Sequence, residues 1–406
     1  MKKGWQKKRL GDVTTKIGSG ATPRGGDESY KAEGISLIRS LNVYDDGFRE
    51  AKLARIDNEQ ADGLSNVVVE PHDVLLNITG ASVARCCRAP ADFLPARVNQ
   101  HVSIIRPVQE KLDSDFLHYL LISKTYKDRL LHTGEEGGST RQAITKAQLQ
   151  EFVVEFPESL AEQQRIVGLL DEAFEGLATA NANAEKNLQN ARAIFESHLQ
   201  SVFADQWKTG ELVTLSDLAT DITDGDHLPP PKSPTGVPFI TIGNIVKETR
   251  KIDFSDTFMV PRAYFDALKP YKKPRQGDVL YTVTGSFGIP VIVCDDAEFC
   301  FQRHIGLVRP KPETSSSWLY YLLMSPQLLK QANDGATGTA QKTVSLKLLR
   351  SFVVPKVSPK QQNQAVRKLD ALTEETQRLA RLYERKLAAL AELKKSLLHQ
   401  AFTGEL

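Results

Sequence analysis

The sequence predicts an α+β chain: two tandemly duplicated α/β domains separated by two long helices that form an antiparallel coiled-coil spacer, with pseudo-twofold symmetry. Three observations predict it. The chain of 406 residues is written twice, with a period of about 200 residues. Each copy opens with short β-type runs set between Gly, Pro and Asp. Each copy closes on a long segment of helical periodicity without internal proline.

The duplication is carried by eight blocks in the same order. Leu10-Gly11-Asp12-Val13 returns as Leu215-Ser216-Asp217-Leu218, and Gly34–Ile38 as Gly236–Ile240, with Asn42 matched by Asn244. Asp73-Val74-Leu75-Leu76-Asn77-Ile78-Thr79-Gly80 returns as Asp278-Val279-Leu280-Tyr281-Thr282-Val283-Thr284-Gly285. His101–Pro107 matches His304–Pro310, both ending in Arg-Pro, and Phe116–Leu121 matches Trp318–Leu323. Phe152-Val153-Val154 meets Phe352-Val353-Val354, Gln163-Gln164 meets Gln361-Gln362, and Thr209–Leu212 meets Thr403–Leu406.

The elements follow in order. Residues 1–158 and 206–357 are the two α/β domains, with strands over Ile35–Ile38, Val74–Ile78 and Val102–Ile105, an opening strand at each Leu-x-Asp, and a shorter helix over 114–131 and again over 316–333. Residues 159–205 and 358–406 are the long helices. In the first, Leu170, Ala173, Leu177, Ala184, Leu188, Ala191, Phe195, Leu199 and Val202 form one apolar stripe. In the second, Leu369, Leu372, Leu379, Tyr383, Leu390, Leu393 and Leu397 do so. A helix of some 40 residues is about 60 Å long and must bury its stripe. The first long segment holds three basic and seven acidic side chains and the second nine and six, so opposite net charge favours their pairing.

Composition excludes several classes. No stretch approaches the roughly 18 apolar residues of a membrane span, and Met1–Trp5 has no apolar run behind it. Cys86, Cys87, Cys294 and Cys300 show no CxxC spacing, which points to reduced thiols in a cytoplasm rather than zinc or disulfides. The net charge of +2 is silent on nucleic acid.

Taken together, the blocks resemble Type I restriction-modification specificity subunits, along the whole chain. The resemblance rests on the opening Leu-x-Asp, on Gly18-Ser19-Gly20-Ala21-Thr22-Pro23 and its variant Asp224-Gly225-Asp226-His227 with Pro229, on the Asp-Val-Leu…Thr-Gly unit, on Asn99-Gln100-His101, on the Gln-Gln pairs, and on the closing Phe402-Thr403-Gly404-Glu405-Leu406. It implies that each globular domain is a target recognition domain reading one half of a bipartite, asymmetric site in double-stranded DNA, and that the long helices set the gap. It implies two adenine-N6 methyltransferase subunits as partners, carrying S-adenosylmethionine, and two ATP- and Mg-dependent restriction/translocase subunits as optional further ones. No cofactor, metal or catalytic residue is expected on this chain.

A half-site reader needs donors for phosphates, and amides, guanidiniums or hydroxyls for base edges. In the first copy the candidates are Thr22, Arg24, Arg39, Asn42, Asn77, Thr79, Gln100, His101, Thr140, Arg141 and Gln142, the last three in a Gly-rich run. In the second they are Asp226, His227, Thr241, Asn244, Thr284, Ser286, Arg303, His304, Gln341 and Lys342. His101 and His304 fit a core position as well as a groove. Phe116, Tyr119, Trp318, Tyr320 and Tyr321 read as helix core. Two rival readings remain: a metal-dependent nuclease assembled from Asp224, Asp226, Asp278 and His304, and a pure protein-interaction scaffold. Against an enzyme, Gln341 stands where a phosphate loop needs Gly, and no Asn-Pro-Pro-Tyr-type, GxSxG or HExxH motif is present.

Overall fold

The structure, a computed structural model, describes the chain except Met1, Lys3, residues 136–142, Pro229, Thr339, Ala340, Gly404 and Leu406. It divides into two compact units, Met1–Glu185 with Arg385–Leu406, and Lys186–Glu384. Each unit takes the opening half of one long helix and the closing half of the other, the sharing that an antiparallel pair produces.

In the first unit Trp5–Arg9 pairs antiparallel with Val153–Pro157. One four-stranded sheet runs Thr14–Ser19, Val102–Pro107, Val74–Asn77, Cys86–Arg88, and a second runs Ala54–Ile56, Ile35–Ile38, Ala96–Val98, Val68–Val69. Ile35–Ile38 and Ala96–Val98 are parallel. One apolar core lies under the short helices and takes in Leu10, Phe116, Phe156, Leu170, Leu398 and Ala401; another, with Leu37, Ile56, Leu75, Val98 and Ile104, joins the two sheets.

The second unit repeats the plan. Glu211–Thr214 pairs with Val353–Lys356. A four-stranded sheet runs Ala219–Asp224, Ile305–Pro310, Val279–Thr282, Pro290–Ile292, and a three-stranded one Phe258–Val260, Val237–Ile240, Cys300–Phe301. Phe203, Leu215, Tyr281, Trp318 and Leu369 centre its largest core.

The two motifs Asp-Val-Leu and Arg-Pro turn out to be halves of one feature. Arg106 forks onto fully buried Asp73 at 2.7 and 2.9 Å, and Arg309 onto Asp278 at 3.0 and 2.8 Å. Each carboxylate also accepts a backbone amide, from Glu70 or Arg275. Burial of such a charge is tolerable because it is paired and fully hydrogen-bonded.

Three expectations are corrected. The opening Leu-x-Asp is a single turn, Leu10–Asp12 and Leu215–Leu218; in the second copy Asp217 closes a capping box by accepting from the Thr214 amide at 2.8 Å. The shorter helix is two in each copy, Ser114–Ile122 then Lys124–Glu135, and Ser316–Leu323 then Pro326–Gly335. Ser123 is extended, while Ser325 caps a new start with Pro326 at its first position. Along the long helices, Leu160–Thr209 and Pro359–Thr403, the stripes are buried at Leu170, Leu177, Ala184, Ala191, Leu199 and Leu369 and half-buried elsewhere except at Leu393, which is 46 % exposed while Leu398 and Ala401 are buried. Between the two helices Arg192 meets Glu384 at 3.5 Å.

Phe116, Trp318 and Tyr321 are buried in core, and Tyr119 and Tyr320 pack against it. The four cysteines are free, with Cys86, Cys87 and Cys300 buried. Among the described residues no helix is long and apolar enough to cross a membrane.

Candidate nucleic-acid interface

In both units three segments are laced together at one end of the sheet that holds Val74–Asn77 or Val279–Thr282. The Ile78 amide donates to the His101 carbonyl at 3.0 Å and the Ile144 amide to the Ile78 carbonyl at 2.8 Å; Val283, His304 and Val344 repeat this at 2.9 and 2.8 Å. The lacing sets the segments after the two Gly-rich runs beside Thr79 and Thr284, which bridge to Ala143 and Thr343. A fourth segment arrives by a close crossing. A Cβ on Gly20 would lie 1.8 Å from the Val98 carbonyl oxygen, and one on Gly225 equally close to that of Phe301. Only glycine lets the loops carrying Thr22 and Asp226-His227 pass there.

The first unit thereby joins four sequence candidates in one chain. Thr22 Oγ1 donates to Gln100 Oε1 at 2.5 Å, Gln100 Nε2 meets His101 Nε2 at 3.1 Å, and His101 Nδ1 meets Thr79 Oγ1 at 2.6 Å. Buried Asn99 anchors the segment by accepting the His101 amide at 3.0 Å. Gln100 and Arg24 are exposed. Thr140, Arg141 and Gln142 lie outside the described residues.

In the second unit the chemistry at matching positions differs. Arg303, exposed, stands where Gln100 stands, its Nε 3.4 Å from His304 Nε2. Partial burial, then the Arg303 charge, lowers the His304 pKa. Asp226 accepts from Tyr264 Oη and lies 3.6 Å from Lys272 Nζ, and His227 meets Asp224 at 2.8 Å. Gln341 and Lys342 are exposed; the Lys342 carbonyl accepts the Gly285 amide at 3.1 Å. Ser286 is exposed, and its carbonyl accepts from Thr282.

Several candidates turn inward instead. Asn42 and Asn244 are buried, each accepting the amide of residue 39 or 241 and donating to two carbonyls of the next loop. Their hydrogen-bonding capacity is thereby taken, and they shape the loop rather than meet a base. Thr241 donates to Asn244, and Arg39 lies over the Tyr30 ring with bonds to the Lys52 carbonyl and Asp27. Asn77 is fully buried and donates to the Ser40 carbonyl; Thr284 is buried at its bridge. Sequence reasoning passed over Tyr44, whose ring centroid lies 3.7 and 4.6 Å from the guanidiniums of Arg49 and Arg85. The signal was its divergence from Val246 in the other copy.

The nuclease set does not assemble. Asp278 is buried against Arg309, and among the described residues no three His, Cys, Asp or Glu side chains gather as metal ligands.

Fold and loops define a duplicated α+β chain whose two copies share one frame and differ at the exposed positions Gln100 and Arg303. The model of the Type I restriction modification DNA specificity domain matches residues 2–189 and 206–384, so the chain belongs to that family and holds the domain twice. A curated relative, the Type I restriction enzyme EcoBI specificity subunit of Escherichia coli, is 29% identical over 135 residues, 33% of this chain; the chain thus spans only 28% of that relative's length. Among solved structures, a chain of a type I R-M system superposes with a TM-score of 0.78 at 18% identity, covering 100% of this chain and 99% of that one. The HsdS subunit from Thermoanaerobacter tengcongensis gives 0.65 at 20% identity, covering 100% and 98%. At these identities the structures speak for the fold.

Proposed function

We propose that the chain is the DNA sequence-recognition subunit of a Type I restriction-modification complex and is itself non-catalytic. Each head reads one half of a bipartite, asymmetric site in double-stranded DNA. Two adenine-N6 methyltransferase subunits bearing S-adenosylmethionine assemble on it in the cytoplasm, and two restriction/translocase subunits using ATP and Mg²⁺ join where the system restricts.

The observation that carries this reading is the pair Gln100 and Arg303. Two copies of one frame hold, at the same exposed place over a histidine, an amide in one head and a guanidinium in the other. An amide is bidentate to adenine N6/N7 and a guanidinium to guanine O6/N7. Two heads on one frame with different tips are what an asymmetric split site requires. Thr22, Thr79, His101 and His304 position those tips, while Arg24, His227, Ser286, Gln341 and Lys342 serve neighbouring bases or phosphates. Asp226 orients the second head's loop through Tyr264 and Lys272.

The test is to map methyladenine in cells expressing this chain with its methyltransferase. A split motif is expected. Binding of the complex should fall with salt at a slope near −0.9 per phosphate contacted. A continuous motif, or binding indifferent to salt, would refute the reading.

A further inference from the structure

Each head is fastened to its long helix by the same polar clasp. In the first unit Gln163, fully buried one turn into the helix, accepts the Asp113 amide at 2.8 Å and donates to the Lys111 carbonyl at 3.0 Å and the Pro157 carbonyl at 2.8 Å. In the second, Gln362 accepts the Ser315 amide at 2.7 Å and donates to the Glu313 and Val357 carbonyls at 3.2 and 3.1 Å. Two turns further along the helix, Tyr119 Oη donates to Asp171; Tyr321 Oη donates to Asp370 at 2.7 Å and meets Thr373 at 3.2 Å.

The correspondence is residue for residue, and it corrects the sequence alignment: Gln163 matches Gln362, while Gln164 and Gln361 are exposed. Around the clasp the packing has diverged, with Phe116 and His118 in one copy against Trp318 and Tyr320 in the other. A core needs only volume and apolarity, and here those have drifted. What both copies retain is a directional set of bonds joining three segments: the turn before the short helix, the last strand and the long helix.

We propose that this duplicated clasp fixes the angle between each reading head and its long helix, and so the strictness of the gap between half-sites. Gln163, Tyr119 and Asp171, with Gln362, Tyr321 and Asp370, are positioning residues that touch no DNA. The proposal rests on the DNA reading above. Apolar packing alone lets a helix rock on a core; three backbone bonds to one side chain plus a second bond two turns away do not.

The test uses the complex of the full chain with its methyltransferase on a DNA library whose two half-sites are separated by varied gaps. Wild type should methylate one gap strongly. Tyr119→Phe with Tyr321→Phe removes the second bond of each clasp while keeping the ring. It should raise methylation at gaps one base pair shorter or longer by about fivefold for each clasp relaxed, relative to the correct gap, the factor one hydrogen bond supplies. The bases at both ends should stay the same. Asp171→Asn with Asp370→Asn keeps an acceptor and should keep wild-type strictness. Gln163→Met with Gln362→Met should relax the gap further where the protein folds, and the Tyr pair decides where it does not. Unchanged gap selectivity in the Tyr pair, even with a lowered melting temperature, overturns the clasp and leaves the DNA reading standing. A wild type that marks no split motif overturns both.

Discussion

At the scale of single residues, shared and divergent positions carry different loads. The Asp73–Arg106 pair, shared, belongs to stability. Removing Arg106 as Arg106→Met leaves a fully buried carboxylate with no cation, and losing one partner of such a pair costs about 3 kcal/mol or more. Denaturant unfolding should show that loss, and Arg106→Lys should recover part of it. His118 has diverged. Its burial, with Arg88 nearby, lowers its pKa from 6.5 to about 4, and its Nε2 finds no hydrogen-bond partner among the described residues. The folded state thus disfavours the proton. The contribution of His118 is complete above pH about 6.5 and is lost as pH falls toward about 4. His118→Tyr, the residue type of Tyr320, should flatten melting temperature against pH across that window. An unchanged slope would place the acid sensitivity elsewhere. At the loop tips, Arg303→Gln should remove guanine preference at one position of one half-site, with discrimination falling by about 1–3 kcal/mol. The other half of the methylated motif should stay intact; a loss in both halves would make Arg303 a general phosphate contact.

At the scale of elements, the close crossings of Gly20 and Gly225 decide where the reading loops go. Gly20→Ala puts a methyl group into the Val98 carbonyl, so the loop bearing Thr22 must lift away, at a cost of about 1–3 kcal/mol. Recognition of the first half-site should fail before that of the second, and Gly225→Ala should do the reverse. Equal loss in both would mean global unfolding instead. Much of this scale was legible in the sequence. The strand runs Ile35–Ile38 and Val102–Ile105, the two long helices and most of their buried stripes follow from period and from duplicated blocks. What was not legible has a common cause: it depends on groups far apart in the chain. Nothing local says that the Asp of Asp-Val-Leu meets the Arg of Arg-Pro, that Asn42 folds back onto the carbonyls of Arg49 and Ala51, or that of two adjacent glutamines Gln163 faces the core in one copy and Gln362 in the other. The helix break at Ser325 was legible in principle, since Ser-Pro is a start signal, but the apolar run before it masked it; Ser123, followed by Lys124, carries no such signal.

At the scale of the whole molecule, each unit contains its own sheets, cores, loops and clasp, and the long helices are the elements that pass from one unit to the other, between Glu185 and Lys186 and between Glu384 and Arg385. Under the proposed function this makes those helices the ruler. Four residues inserted after Glu185 and four after Glu384 interrupt neither unit's own core. They lengthen each helix by about 6 Å and leave it roughly 40° out of phase, because four residues slightly exceed one turn. DNA advances about 3.4 Å per base pair, so the gap in the methylated motif should grow by roughly one or two base pairs. The bases at either end should not change, since no loop tip has moved relative to its own frame. Inserting into one helix alone leaves the paired stripes out of register and should lower stability without giving a clean new gap. The comparison of single and double insertions therefore separates a ruler from a tether: a tether tolerates either insertion and keeps a loose gap in both, whereas a ruler gives one new gap, and only when both helices are lengthened together.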